Sequence, residues 1–164
     1  MGVEWLMNLA SLVGRFLIWS AIAGELGAVA MVLVLWAFTR SGLAKTRLII
    51  AIGSLVTRSY ERAAWMGGMI HVVAGLFFGQ IYTLVLLAIG HPGVGPNMMW
   101  GAVLGMFHGL IMSLLLIAAV ADAHPLEEFQ QRSFAIALSH WVGHVAYGLV
   151  VGAAIGASGL IMAQ

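Results

Sequence analysis

Five residues have a chemistry that does not suit their surroundings: Glu25, His71, His108, His140 and His144 each fall inside a long apolar run. A charged carboxylate at the centre of such a run costs on the order of 3 kcal/mol on insertion scales, so residues of this kind need a partner or a task. His140 and His144, at i and i+4, share one face of a helix, as metal-binding pairs do. Three or four imidazoles with one carboxylate make a shell for zinc, iron or manganese. Glu25 would neutralise the ion or orient a ligand from behind. Met69, Met106 and Met112 lie close enough in the pattern to offer thioethers to copper(I). His71 and His144 would instead serve as two axial ligands of haem b, with neighbouring glycines leaving room for the macrocycle, or one histidine would hold a related pigment. A metal-free alternative is a proton relay through Glu25 and the histidines. The plainest alternative is that each imidazole bonds a backbone carbonyl and fixes helix packing. His91 and His124, in loops beside Pro92 and Pro125, read as solvated or capping residues.

The elements that must position this set are membrane spans. The chain has 164 residues, 62% hydrophobic and 8% charged, with a mean hydropathy of +1.04. Soluble domains carry roughly 25% charged residues, so a cytosolic enzyme and a nucleic-acid binder are excluded. The absence of cysteine excludes disulfides, iron–sulfur clusters and thiolate zinc sites. There is no nucleotide-binding loop and no Ser or Cys nucleophile constellation. The length allows four spans of ~20 residues in a single all-α transmembrane domain covering residues 1–164. They are expected at about 16–38, 63–90, 98–120 and 133–161, with the segment before the first lying at the interface. Between spans one and two, Leu48, Ile49, Ile50, Ile52, Leu55 and Val56 interleave with basic residues and predict an amphipathic surface helix. After span three, Asp122 to Glu128 around Pro125 reads as a helix start.

Arg40, Lys45, Arg47, Arg58 and Arg62 fall in the first connection and Arg132 in the third, while the second has no Lys or Arg. The positive-inside rule then puts the first and third connections in the cytoplasm and both termini outside; in a bacterium the membrane would be the inner one, and an organelle membrane is the alternative. From helix rise, His71 and His140 lie roughly 10 Å from the cytoplasmic end, and His144, His108 and Glu25 about 16–20 Å from it.

His71-Val-Val-Ala-Gly75-Leu-Phe-Phe-Gly79 and His144-Val-Ala-Tyr-Gly148-Leu-Val-Val-Gly152 agree at five of nine positions, which suggests a duplicated helical hairpin. Gly75 and Gly79, Gly101 and Gly105, and Gly148 and Gly152 form stripes at four-residue spacing that let helix backbones approach closely. The histidines share those packed faces, so a compact four-helix bundle is expected.

Ile70-His71 opening a small-residue span, Trp100-Gly101 leading to His108, and Gly143-His144 before a Gly-rich helix resemble the YagU-like group of uncharacterised bacterial inner-membrane proteins. The resemblance covers roughly residues 64–157. It implies a small polytopic membrane protein with His71, His108 and His144 as matching positions, and supplies no reaction. The soluble domain or long polar loop of some such proteins is missing here.

The reading is therefore a four-span bundle in a lipid bilayer with a His/Glu site for a transition metal (iron, zinc or copper) or haem b. His71, His108 and His144 are the first ligands, His140 a further ligand or supporting group, and Glu25 the acidic partner. The competing readings are an accessory or scaffold subunit that docks other membrane subunits through its glycine faces, and a metal-free translocator of protons or small solutes.

Overall fold

The structure, a computed structural model, describes residues 2–116, 118 and 121–161. Its helices are α1 (Gly2–Arg40), α2 (Leu48–Thr57), α3 (Tyr60–Ile89), α4 (Val94–Leu115), the single turn α5 (Ala121–Ala123) and α6 (Phe134–Ala157). A 3₁₀ turn at Glu127–Phe129 lies between the last two, and no strand occurs among the described residues. α1, α3, α4 and α6 are each long and apolar enough to cross a membrane. Their outward faces carry large apolar side chains, among them Trp36, Val73, Phe77, Phe107 and Leu114, all more than half exposed. So much contiguous apolar surface suits lipid and not water. This is the build of a multi-pass membrane protein.

The helices meet through glycine. α1 crosses α3 where Gly24 lies on the backbone of Gly75 and Gly79. α4 crosses α6 where Gly101 and Gly148 face each other and Gly105 lies against the backbone at His144 and Val145. A Cβ on Gly105 would come 2.9 Å from the Cα of Val145, and the atoms it meets are backbone and cannot rotate away. The short α2 seats on the first two turns of α3 in the same way, Gly53 against Gly67 and Ala63. α1 also packs on α6, whereas the backbones of α3 and α4 stay apart and are bridged through His108, which meets Phe78 and Tyr82. The order round the bundle is thus α3, α1, α6, α4, and the seam between α3 and α4 stays loose. The core where α1, α3 and α6 meet is filled by Ala28, Met31, Leu35, Tyr82, Leu86, Tyr147, Val151 and Ile155. α3 stops at Gly90, whose φ of 71° gives the left-handed cap and turns its N–H onto the carbonyl of Leu86.

Several boundaries differ from those expected. α1 is one helix of 39 residues, about 58 Å at 1.5 Å per residue, and its exposed first turns continue the helix without a break. α4 begins at Val94, because Pro96 falls in its first turn, where no intrahelical N–H is needed. Residues 117, 119 and 120, the expected end of span three, lie outside the described residues. Asp122 to Glu128 does not start a helix that continues. Pro125 disfavours helical geometry at the residue before it, and α6 begins only at Phe134, capped by the Ser133 hydroxyl accepting from the N–H of Ile136. α2 contains no charged residue. The basic side chains expected along it sit before it (Lys45, Arg47), at its end (Arg58) and in the first turn of α3 (Arg62), so it is an apolar helix with basic flanks.

The first and third connections lie at one end of the bundle. Arg47 reaches Glu128 at 3.7 Å, and Arg132 makes a two-pronged ion pair with Asp122 that holds the Asp122 carboxyl below the ordinary carboxylate range and raises the guanidinium. Both partners of the second pair are solvent-exposed, so it positions the chain more than it stabilises it.

Overpacking a core costs about 1–3 kcal/mol, and a backbone neighbour puts the cost at the upper end. Gly148→Ala is therefore expected to lower the melting temperature of the detergent-purified protein by about 5 °C or more. Gly68→Ala, whose Cβ would meet nothing within 4 Å, should leave it unchanged or raise it.

Candidate functional site: an imidazole-lined cavity

Two carbonyls on α6 decide the state of its histidines. His140 Nδ1 lies 2.9 Å from the carbonyl oxygen of Ile136, and His144 Nδ1 lies 2.8 Å from that of His140. A carbonyl only accepts, so Nδ1 carries the proton in each ring and Nε2 keeps its lone pair. Neither Nε2 has a hydrogen-bond partner among the described residues, and both rings line a cavity of about 860 Å³ between the four long helices. The two residues are only 8% exposed, so the carbonyl anchors hold each ring in one orientation.

His108 enters from α4. Its Nδ1 lies 3.1 Å from the Tyr82 hydroxyl, its ring stands 4.2 Å from Phe78 and 4.6 Å from His144, and its Nε2 is buried with no partner. His71 enters from α3, with Nε2 3.2 Å from the carbonyl of Ala28, so Nε2 donates and Nδ1 is left. The Tyr147 hydroxyl donates to the carbonyl of Gly75 and ties α6 to α3 beside the cavity. Met31, Ile70, Phe78 and Met112 supply apolar wall. Toward the connections the cavity is bordered by α2 and the third connection, through Ala51, Leu55, His124 and Phe129.

The four span histidines thus reach one cavity. Glu25 does not. It lies on the α1–α3 crossing, where its Oε1 is buried without a hydrogen-bond partner and a Cβ on Gly75 would come within 2.9 Å of it. Of the three methionines considered as ligands, Met112 lines the cavity; Met69 faces a groove on the outside of α3 and Met106 is 45% exposed. Among the described residues, no three His, Asp or Glu side chains are placed to share one ion.

His124, read from the sequence as solvated or capping, is not solvated, and it does more than cap its own loop. It is 2% exposed. The N–H of Leu126 donates to its Nδ1 at 3.1 Å, which leaves Nε2–H to donate to the carbonyl of Ala51 in α2 at 3.0 Å. Gln130 donates to its backbone oxygen, and Phe129 packs 4.8 Å from its ring. His124 fastens the third connection over α2 across 73 residues of sequence, a pairing with no local signal. His91 is exposed, as expected for its loop. Tyr82 and Tyr147 were missed too, although a tyrosine inside an apolar run is itself a signal, since a buried hydroxyl needs a partner.

Comparison with family models, with curated proteins and with solved structures finds no match.

Removing the His124 imidazole leaves the Leu126 N–H unpaired, worth about 1–3 kcal/mol. His124→Ala should therefore expose the third connection, with trypsin cleaving after Arg132 about tenfold faster than in the wild type under native conditions. An unchanged cleavage rate would mean that other contacts hold the segment.

Proposed function

We propose that this protein binds haem b in the cavity between its four spans, with His144 Nε2 as the axial ligand. The observation that carries the reading is the fixed ring state on α6: Nδ1–H is committed to a carbonyl, and the Nε2 lone pair is presented to a roomy, mostly apolar cavity. A backbone carbonyl behind the ligating imidazole is the usual supporting contact of a metal-bound histidine. The volume lies within the ~300–1,000 Å³ of cofactor sites.

Haem is favoured over a bare zinc, iron or copper ion by the ligand count. An ion held by protein alone asks for three or four converging side chains. Haem brings four nitrogens of its own and asks for one or two imidazoles. His140, one turn before His144, offers the same lone pair and is the substitute ligand. His71 would take the second axial position only after releasing Ala28, because its Nε2 is already engaged.

The membrane assignment is the inner membrane, with the basic connections in the cytoplasm and both termini outside. The contacts also support duplication of a hairpin. Gly75 and Gly79 seat α3 on α1, and Gly148 and Gly152, at the matching positions of the repeat, seat α6 on α4. The resemblance to the YagU-like group names no ligand.

The test is titration of the detergent-purified protein with ferric haem, followed by absorption. A shifted Soret band saturating at one equivalent is expected, and His144→Ala should weaken binding at least about tenfold while eluting as the wild type does. His140→Ala should have a smaller effect. No saturable band in the wild type overturns the reading. Tight zinc or ferrous-ion binding without haem, measured by calorimetry, would replace it with an ion site. If neither binds, the scaffold and translocation readings are left.

A further inference from the structure

We infer that the mouth of this cavity is a carboxylate-recognition site, in which Lys45 and Arg47 hold the acidic edge of the ligand while its apolar body lies among the imidazoles. The inference rests on the haem reading and fixes the ligand's orientation: haem's two propionates point to the end of the bundle that carries the basic connections.

Lys45 and Arg47 both line the cavity and are both exposed, so they stand at its opening and not in its depth. The loop that carries them is held in place. Thr46 Oγ1 donates to the carbonyl of Leu35 at 2.9 Å, the N–H of Thr46 donates to Thr39 Oγ1 at 3.2 Å, and Thr39 Oγ1 also bonds the Leu35 carbonyl at 3.0 Å. A pair of threonines therefore staples residues 45–47 to the last turns of α1. Arg47 is steadied further by the Tyr60 hydroxyl, 2.6 Å from Nη1.

Among the described residues that line the cavity, one acid faces these cations. Glu128 lies 3.7 Å from Arg47, too far for a close charge-assisted hydrogen bond. Lys45 makes no ion pair among the described residues. Two cations against one carboxylate leave the mouth positive. An anionic group placed there would be partly screened from water by the cavity wall, where a guanidinium binds a carboxylate more strongly than it would on an open surface.

The experiment compares ferric haem with its neutral dimethyl ester, titrated into the wild type and into Lys45→Gln/Arg47→Gln in zwitterionic phosphatidylcholine nanodiscs. The wild type should bind haem at least about tenfold more tightly than the ester. In the double variant, the two ligands should bind within about twofold of each other. Glu128→Gln, which removes the competing acid, should tighten haem and leave the ester unchanged. Equal binding of haem and ester by the wild type overturns the inference while leaving the haem site standing. Loss of the preference when phosphatidylglycerol replaces phosphatidylcholine would assign the cations to lipid headgroups and also overturn it. Absence of binding by both ligands sinks the haem reading and this inference together.

Discussion

At the crossing of α4 and α6, the carbonyl of Gly148 occupies the space that a Cβ on Gly101 would need, and Gly24 meets Gly75 and Gly79 in the same manner where α1 crosses α3. In lipid there is no hydrophobic drive to bring helices together, so close backbone contact has to supply the packing energy. Glycine is the only residue that fits these points. Once α1 is locked to α3 and α4 to α6, contact between α1 and α6 joins the pairs, and α3 and α4 are left facing each other across a gap. The cavity is what this arrangement does not fill. Its position, its apolar walls and its access from the basic end all follow from where the glycines are.

The histidines are placed by the same contacts. Gly109 lies against the side chain of His144 and the carbonyl of Trp141, so α4 runs close behind the His144 ring. His140 and His144 lie on the glycine stripe of α6 and satisfy their own Nδ1 through the helix, which leaves no competing partner to draw Nε2 away. A buried imidazole lone pair that meets nothing is a cost unless something binds it. The His108 Nε2 is buried without a hydrogen-bond partner among the described residues, and the His108 ring stands 4.6 Å from that of His144.

Much of this was legible in the sequence, and the failures have definite physical causes. The four spans follow from uninterrupted apolar length, and the convergence of His71, His108, His140 and His144 follows from helix rise along antiparallel spans together with the glycine stripes. Glu25 shows what depth leaves out. It sits one residue from Gly24, about 100° round the helix, so the face that buries Gly24, Ala28 and Met31 carries it to the edge of the crossing and not into the cavity. His124 and the loop of Lys45 and Arg47 were read as local features of connections. Their roles arise from contacts between segments far apart in the chain, Ala51 with His124 and Arg47 with Glu128, which no periodicity encodes. The start of α6 at Phe134, with Ser133 as its cap, lies within a residue of the expected 133, whereas the helix start read at Asp122 to Glu128 yields only short turns, with Asp122 paired to Arg132.

The central claim is that α6 presents imidazole lone pairs to a ligand, and nitrogen NMR of the protein labelled with ¹⁵N-histidine reads it directly. His140 and His144 should show protonated Nδ1 and bare Nε2 at neutral pH, and adding ferric haem should broaden the His144 signals away before those of His71. Signals showing protonated Nε2 on His144, or a spectrum unchanged by haem, would contradict it.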